Sequence, residues 1–283
     1  MLSYLHGYHA GNTADVLKHS ALVFCLEYLK KKEKPFLCVD THAGAGLYDF
    51  SGTFQRNAEW EKGIGKMLAD YNGIPPMIAD YLKTAVDFQN SHVRYSGSPA
   101  IMAKMLREGD RLVCFELHPG EFETLETSLA ELRSRATVEL RKEDGTEGLK
   151  SLLPPPSRRA LVLIDPSWED KSEFDTIPGF AAEGLRRFPE GTFIIWYPLL
   201  SSPKKKDASV SIQEMLFNLK EMKCCLAELC TGKAEISPRG MYGSGLVIYN
   251  PPWILKPALE EALPFLAKLL GDGKVDWRLE WRG

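Results

Sequence analysis

The clearest candidate for chemistry is the tetrapeptide Asp165–Trp168, which reads Asp-Pro-Ser-Trp and follows the apolar run Ala160–Ile164. A carboxylate, a rigid turn and a large aromatic ring therefore meet where a buried strand should reach the surface. Asp165 and main-chain carbonyl groups accept hydrogen bonds, Pro166 fixes the turn, and Trp168 offers a stacking face. Such a set is suited to holding a flat ring that carries an amine.

The apolar runs indicate the elements that must position this tetrapeptide. Several are apolar throughout, as in strands that are covered on both faces, and helical patterns at Gly120–Arg135 and Asp175–Arg187 separate some of them. Strands that alternate with helices are typical of the α/β class. The sequence thus predicts a doubly wound, Rossmann-like sheet, with strands at Pro35–Asp40, Arg111–Leu117, Thr137–Leu140, Ala160–Ile164, Thr192–Tyr197, Cys224–Leu229 and Leu246–Tyr249.

Two connections depart from a plain doubly wound sheet. The last two runs have no crossover helix between them, which predicts a C-terminal antiparallel hairpin at the sheet edge. About 70 residues separate the first two strands, where a plain βαβ unit needs roughly 30. The surplus carries side chains at loosely helical spacing, namely Trp60, Met67, Tyr71 and Tyr81. We expect a single domain over residues 1–283 with a small helical insertion at about 50–95.

Glycines follow the first predicted strand, where Asp40–Gly46 reads Asp-Thr-His-Ala-Gly-Ala-Gly. Ligands of doubly wound sheets bind at the carboxyl ends of the strands, and glycine lets a ligand approach the backbone. The dinucleotide fingerprint G-x-G-x-x-G is absent, because Leu47–Asp49 follows the second glycine. An acid that opens D-x-x-x-G-x-G instead resembles the first motif of S-adenosylmethionine-dependent methyltransferases. An ordinary tight turn is the alternative.

Further acids follow the next strands in chain order. Glu116 ends the second predicted strand and could accept both hydroxyls of a ribose. After the third, Asp144 could accept an adenine amine, and Gly145 would allow close approach. Either acid alone would equally suit a helix N-cap or a turn. Together with the glycines and Asp165, they predict a nucleoside-binding edge, and if the bound ring is adenine, methyl transfer to its N6 amine.

A second tetrapeptide competes with the first. Asn250–Trp253 reads Asn-Pro-Pro-Trp and matches the (Asp/Asn)-Pro-Pro-aromatic pattern of amino methyltransferases better than Asp165–Trp168 does. That pattern belongs after the fourth strand, beside the cofactor, whereas Asn250 follows the last predicted strand. We therefore expect Asn250–Trp253 to be a structural turn.

Composition narrows the class of protein. The net charge of −3 and pI of about 6.1 argue against a protein that coats nucleic acid through bulk electrostatics. No apolar run approaches the roughly 18 residues of a membrane span, and the N-terminus lacks the features of a secretory signal. The six cysteines show no zinc spacing. We expect a cytoplasmic protein with reduced cysteines and no metal site.

The chain as a whole resembles the bacterial 23S rRNA adenine-N6 methyltransferase J family, some of whose relatives are also described as proteins involved in catabolism of external DNA. The resemblance runs from Met1 to about Trp253, and its N-terminal block is specific to that family. The segments that carry it are Tyr4–His6, His9–His19, Asp40–Gly46, Gly97–Pro99, Glu116–Pro119 and Trp196–Pro198.

The resemblance implies methylation of one adenine of 23S rRNA by an enzyme that uses S-adenosylmethionine. We expect the enzyme to be a monomer. Asp165 would be the catalytic acceptor, with Pro166 and Trp168 holding the base. An N-terminal arm at about residues 1–12 would face the RNA, and Tyr4, His6 and Lys18 would contact the substrate. The cofactor site would be lined by His19, His42, Ser98, Glu116, Asp144, Gly145 and Asp165.

One position departs from the family pattern, and other functions stay open. The family usually has Asp-Pro-Pro-Tyr where this chain has Ser167 and Trp168. A DNA adenine methyltransferase would use the same pocket, and a non-catalytic RNA-binding or assembly protein could retain the fold. For the N-terminal block, the simpler alternative is that His9 and His19 cap or pack a helix and that Lys18 is solvated.

Overall fold

The computed structural model describes residues 6–50, 59–69, 73–89, 92–201, 203–219, 222–232, 240–271 and 276–283. An eight-stranded sheet forms its centre, in the order β11-β9-β10-β8-β7-β1-β5-β6. These strands are β1 Leu37–Asp40, β5 Arg111–Phe115, β6 Thr137–Arg141, β7 Ala160–Ile164, β8 Thr192–Leu200, β9 Cys224–Cys230, β10 Met241–Tyr249 and β11 Asp276–Arg282.

Five neighbouring strands, β6, β5, β1, β7 and β8, run parallel. The chain first builds outward from β1 through β5 to β6, and then returns to the other side of β1 to build β7 and β8. This reversal creates a topological switch point between β1 and β7, where open α/β sheets bind ligands. The predicted α/β doubly wound fold is confirmed.

Helices cover both faces of the sheet, as the apolar strands require. Alternate strand residues enter opposite cores: Cys38 and Leu161 pack on one face, and Val39 and Val162 on the other. α1, α4, α5, α6 and α10 pack on the first face, and α8 and α9 on the second. The helices are α1 Thr13–Lys30, α2 Glu59–Lys62, α3 Ile64–Ala69, α4 Pro76–Ala85, α5 Ser98–Met105, α6 Pro119–Leu132, α7 Gly145–Gly148, α8 Glu173–Arg187, α9 Pro203–Phe217 and α10 Leu255–Leu270.

The insertion between β1 and β5 contains more than helices. α2, α3 and α4 lie there as predicted, but a three-stranded antiparallel sheet accompanies them, in the order β2-β4-β3. Its strands are β2 Leu47–Asp49, β3 Val86–Gln89 and β4 His92–Ser96. The sequence predicted the helices of the insertion but not these strands, because strands of three to five residues carry too little alternating pattern to be distinguished.

The C-terminal hairpin is confirmed, but its place in the sheet differs from the prediction. β9 and β10 pair antiparallel, and β10 also pairs with β8. The edge is formed by β11, which the sequence did not predict, and which pairs with β9. Its sequence Asp-Trp-Arg-Leu-Glu-Trp-Arg lacks an apolar run, because one side of an edge strand remains open to water.

Candidate active site

A cleft of about 850 Å³ lies at the carboxyl ends of the parallel strands. That volume is within the usual range for small-molecule sites. Asp165 follows β7, and Glu116 follows β5, so both carboxylates reach this edge. Of the predicted residues, the cleft is lined by His6, His42, Ser98, Glu116, Asp144, Gly145 and Asp165.

Glu116 is fixed by the backbone of the loops around it. Its Oε2 accepts a hydrogen bond from the amide of Gly44 at 2.8 Å, and its Oε1 accepts one from the amide of His118 at 2.7 Å. Gly44 has a φ of 63°, a conformation that favours glycine. The glycine loop after β1 and the acid after β5 therefore form one unit on the cleft wall.

The loop after β6 approaches the loop after β1 closely. A Cβ on Gly145 would lie 2.2 Å from the carbonyl oxygen of Thr41, so only glycine fits this position. Asp144 is the N-cap of α7, and its Oδ1 accepts from the amide of Thr146 at 2.8 Å. Oδ1 of Asp144 therefore caps the helix, as the N-cap alternative expects. The Asp144 side chain is also exposed and lines the cleft.

Asp40 is a fully buried acid at the end of β1. Burial raises its pKa to about 7, the neighbouring charge of Asp165 acts in the same direction, and the nearby hydroxyl of Ser98 opposes both. Oδ1 accepts a long hydrogen bond from the amide of His42 at 3.3 Å, but Oδ2 has no partner among the described residues. Burial lowers the pKa of His42, which favours a neutral imidazole there.

Lys18 connects helix α1 to the predicted catalytic carboxylate. Its Nζ donates to Oδ2 of Asp165 and lies 2.8 Å from Oδ1 of Asp15. Burial favours a lower pKa for Lys18, but the carboxylates of Asp15 and Asp165 overcome this and raise it above its ordinary value. No described residue donates a hydrogen bond to Oδ1 of Asp165. The alternative of a solvated Lys18 is wrong, because its side chain is 3% exposed.

The N-terminal block reaches both the site and the insertion. His6 lines the cleft, and its Nε2 donates to Oδ2 of Asp15 at 3.2 Å. His9 lies 2.9 Å from Glu59 on α2, and Asn12 both caps α1 and donates to Glu59. The Glu59 hydrogen bond raises the pKa of His9. Tyr4 lies outside the described residues, so its predicted role stays a prediction.

Besides Lys18, three predicted site residues do not line the cleft. His19 is buried, with Nδ1 2.6 Å from the hydroxyl oxygen of Tyr95, and burial lowers its pKa to about 3. Pro166 is also absent from the lining. Trp168 is 7% exposed, and its Nε1 donates to the carbonyl oxygen of Trp196 at 3.2 Å. The expectation of a stacking face is therefore not met in this arrangement, because the indole packs in the core.

Ser167, the departure from the family pattern, lines the cleft and takes part in the turn. Its Oγ accepts from the amide of Glu169 at 3.3 Å and donates to Oε2 of Glu173 at 3.4 Å. The first contact is a serine turn of the kind that hydroxyl side chains form two residues along the chain. Ser167 thus restrains a segment where the family usually has a second proline.

The comparison with known proteins decides the family. The model described as "Ribosomal RNA large subunit methyltransferase D, RlmJ" matches residues 33–283. The chain belongs to this family. The resemblance seen in the sequence is confirmed, as are the methyltransferase class and S-adenosylmethionine as its methyl donor.

Full-length relatives support membership of the RlmJ family. "Ribosomal RNA large subunit methyltransferase J" of Haemophilus influenzae is 39% identical over 286 residues, and that of Escherichia coli is 38% identical over 288 residues. Each alignment covers 99% of both chains. The crystal structure of protein LPL1258 from Legionella pneumophila matches with a TM-score of 0.84 and 30% identity, covering 97% of this chain and 98% of that one.

The second tetrapeptide is a structural turn, as expected. Asn250 follows β10, which runs antiparallel to β8. It therefore lies by the amino ends of the parallel strands, whereas Asp165 lies at their carboxyl ends. Its Nδ2 donates to the carbonyl oxygens of Pro189 at 2.6 Å and Gly191 at 2.8 Å. Its φ of 47° is one that asparagine tolerates better than most residues.

Two residues were not found from the sequence, one that lines this RlmJ-family cleft and one that lies behind it. Glu121, in the first turn of α6, lines the cleft, and its Oε2 is buried without a partner among the described residues. Burial and the charge of Glu116 raise its pKa. Asp15 received no role of its own in the sequence analysis, although it shares one helix face with Lys18 and His19 at spacings of three and four residues. That shared face was the available signal.

Two features are absent from the residues that the structure describes. None of their helices combines the length and hydrophobicity needed to cross a membrane. Among those same residues, no three His, Cys, Asp or Glu side chains are grouped so as to hold a metal ion.

Proposed function

We propose that this protein transfers the methyl group of S-adenosylmethionine to the N6 amine of one adenine in 23S ribosomal RNA. The observation that carries the proposal is Asp165, which lies at the switch-point edge with Oδ1 open to accept a hydrogen bond. The RlmJ family match supports methyl transfer. The names of the Haemophilus and Escherichia relatives support a ribosomal RNA substrate.

The residues of the cleft fit S-adenosylmethionine, which carries a ribose, an adenine and two cationic groups. Glu116 would accept the ribose hydroxyls, and Asp144 would accept the adenine amine. Gly145 leaves room for the ring, while His42 and Ser98 would line the remaining wall. The unpartnered Oδ2 of Asp40 places a further buried acceptor beneath this wall. When bound, the sulfonium of the cofactor supplies an activated methyl group.

The protein would contribute mainly positioning and electrostatics. The carboxylate of Asp165 and the carbonyl of Pro166 would accept hydrogen bonds from the amine. These contacts favour a more pyramidal nitrogen and offset the positive charge that develops on it. The base must leave its stack to reach this edge, which costs about a few kcal/mol. Lys18 already occupies Oδ2 of Asp165, so the amine would approach Oδ1.

Tritium transfer from labelled S-adenosylmethionine tests this proposal. Deproteinised 23S rRNA should be labelled, duplex DNA should not, and mass mapping should find the label as N6-methyladenosine. Asp165→Ala should abolish transfer while retaining cofactor binding by titration. The matched control is Asp175→Ala, an exposed carboxylate on α8 that does not line the cleft.

Other outcomes would favour the alternatives. Preferential labelling of duplex DNA would favour a DNA methyltransferase. Cofactor binding without transfer to either nucleic acid would contradict catalysis and favour an RNA-binding or assembly role. We further propose that the protein acts as a monomer in the bacterial cytoplasm. Light scattering that gives the mass of two or more chains would contradict the monomer.

A further inference from the structure

A buried carboxylate on the first helix contacts two residues of the site. Asp15 lies in the first turn of α1, and 1% of its side chain is exposed. Its Oδ1 is 2.8 Å from Nζ of Lys18, and its Oδ2 accepts from Nε2 of His6 at 3.2 Å. Lys18 in turn donates to Asp165, and His6 lines the cleft. Each carboxylate oxygen of Asp15 therefore contacts one of these two residues.

We propose that Asp15 is a positioning residue for methyl transfer, which holds the ammonium of Lys18 at Asp165 and the imidazole of His6 at the cleft wall. This inference rests on the proposed function, because it assigns Asp15 a part in that reaction. Asp15 does not line the cleft. It therefore acts through Lys18 and His6, without touching RNA or cofactor.

The backbone holds Asp15 in turn. Its Oδ2 also accepts from the amide of Gly11 at 2.9 Å, and its own amide donates to the side chain of Asn12 at 3.1 Å. Gly11 has a φ of 75°, and a Cβ there would lie 3.0 Å from the ring of Phe50. A negative charge is also favoured at a helix N-terminus. These contacts hold Asp15 in place, so that it can position the side chains of Lys18 and His6.

Charge explains why this carboxylate matters to Lys18. Burial favours a raised pKa for Asp15, but the charge of Lys18 and the hydrogen bond from His6 hold the pKa well below its ordinary value, so the group stays ionised. A buried charge that loses its partner is strongly disfavoured. When a substrate amine also forms a hydrogen bond to Asp165, Lys18 shares that carboxylate, and Asp15 still neutralises the ammonium. Without Asp15, the buried ammonium would have only the shared carboxylate of Asp165.

Asp15→Asn tests this role, since it keeps the shape and the acceptor for Gly11 but removes the charge. We expect kcat to fall on the order of 10- to 100-fold, with the cofactor Kd changed by less than about twofold. Asp110→Asn is the matched control, because Asp110 is equally buried and is paired with Arg107 beyond the opposite edge of the sheet. It should lower thermal stability but leave the kcat of the folded protein unchanged.

A double-mutant cycle separates positioning from a general loss of stability. If Asp15 acts through Lys18, Asp15→Asn should reduce kcat much less in a Lys18→Met background than in the wild type. Equal losses in both backgrounds would overturn the proposal. So would a kcat for Asp15→Asn within about twofold of wild type, or equal losses in Asp15→Asn and Asp110→Asn.

A crystal structure of Asp15→Asn provides a measurement that does not depend on activity. We expect Nζ of Lys18 and the ring of His6 to be displaced from their wild-type positions. Unchanged positions of both would overturn the proposal. If the wild-type protein methylates no RNA, the proposed function fails, whereas this comparison still decides whether Asp15 positions the two side chains.

Discussion

The side chain of Lys18 donates a hydrogen bond to the carboxylate of Asp165, 147 positions later in the chain. Helix α1 therefore belongs to the site as much as the parallel strands do, although the family match begins only at residue 33. Because both groups are largely buried, neither can be removed without leaving the other partly uncompensated. The N-terminal helix and the end of β7 are thus expected to respond together to substitution.

Gly145→Ala should weaken cofactor binding by roughly tenfold or more, because the added Cβ would displace the loop against Thr41. Gly179→Ala is the matched control, since no heavy atom lies within 4 Å of a Cβ at that position in α8. It should stabilise the protein by about 0.5–1 kcal/mol. Isothermal titration with S-adenosylmethionine and thermal unfolding measure both effects. Equal cofactor affinity in the two variants would show that the loop adapts.

Trp168→Ala should lower the free energy of unfolding by about 3–5 kcal/mol, because the indole is buried and hydrogen-bonded in the core. Trp253→Ala, whose side chain is 74% exposed, should change it by less than about 0.5 kcal/mol. Urea denaturation compares the two. A small effect of Trp168→Ala, together with a raised KM for RNA, would instead favour the stacking role.

Asn250→Ala should destabilise the protein by about 1–3 kcal/mol, since it removes two hydrogen bonds and strains a left-handed backbone position. Asn250→Gly should also lose the two hydrogen bonds but should avoid the backbone strain, so it should destabilise the protein less than Asn250→Ala does. The specific activity of the folded protein should be unchanged in both, because Asn250 lies at the edge opposite the cleft. A selective loss of methylation in either variant would restore this tetrapeptide as a catalytic candidate.

Asp40→Asn should stabilise the protein more at about pH 8 than at about pH 5, relative to wild type. The folded-state pKa of Asp40 is raised to about 7, against roughly 3.9 in an unfolded chain. Between these values the folded state binds a proton that the unfolded state does not, so wild-type stability falls as pH rises. The amide of the Asp40→Asn variant does not titrate, so the variant does not lose stability in this way as the pH rises. A difference between variant and wild type that is independent of pH, measured by urea unfolding, would contradict the raised pKa.

The sequence predicted the positions of those candidate site residues that lie directly at strand ends. Glu116 and Asp165 could be placed because an apolar run precedes each, and parallel strands end at one edge. His19 and Trp168 could not, because a local pattern does not show whether a polar or aromatic side chain points into a core or a cleft. Asp15 was missed because its importance depends on the contact between Lys18 and Asp165, which only the fold creates.

The two edge strands of the main sheet, β6 and β11, carry charged side chains. β9 is apolar and buried along most of its length, and β11 shields its outer edge. Unpaired apolar strand edges recruit other chains and seed aggregation, whereas charged ones resist it. The strands at the two ends present Glu139 and Arg141 in β6, and Asp276, Arg278, Glu280 and Arg282 in β11. The colloidal stability of the protein therefore depends on β11, and a chain shortened before Asp276 would open β9 to pairing with its own copies.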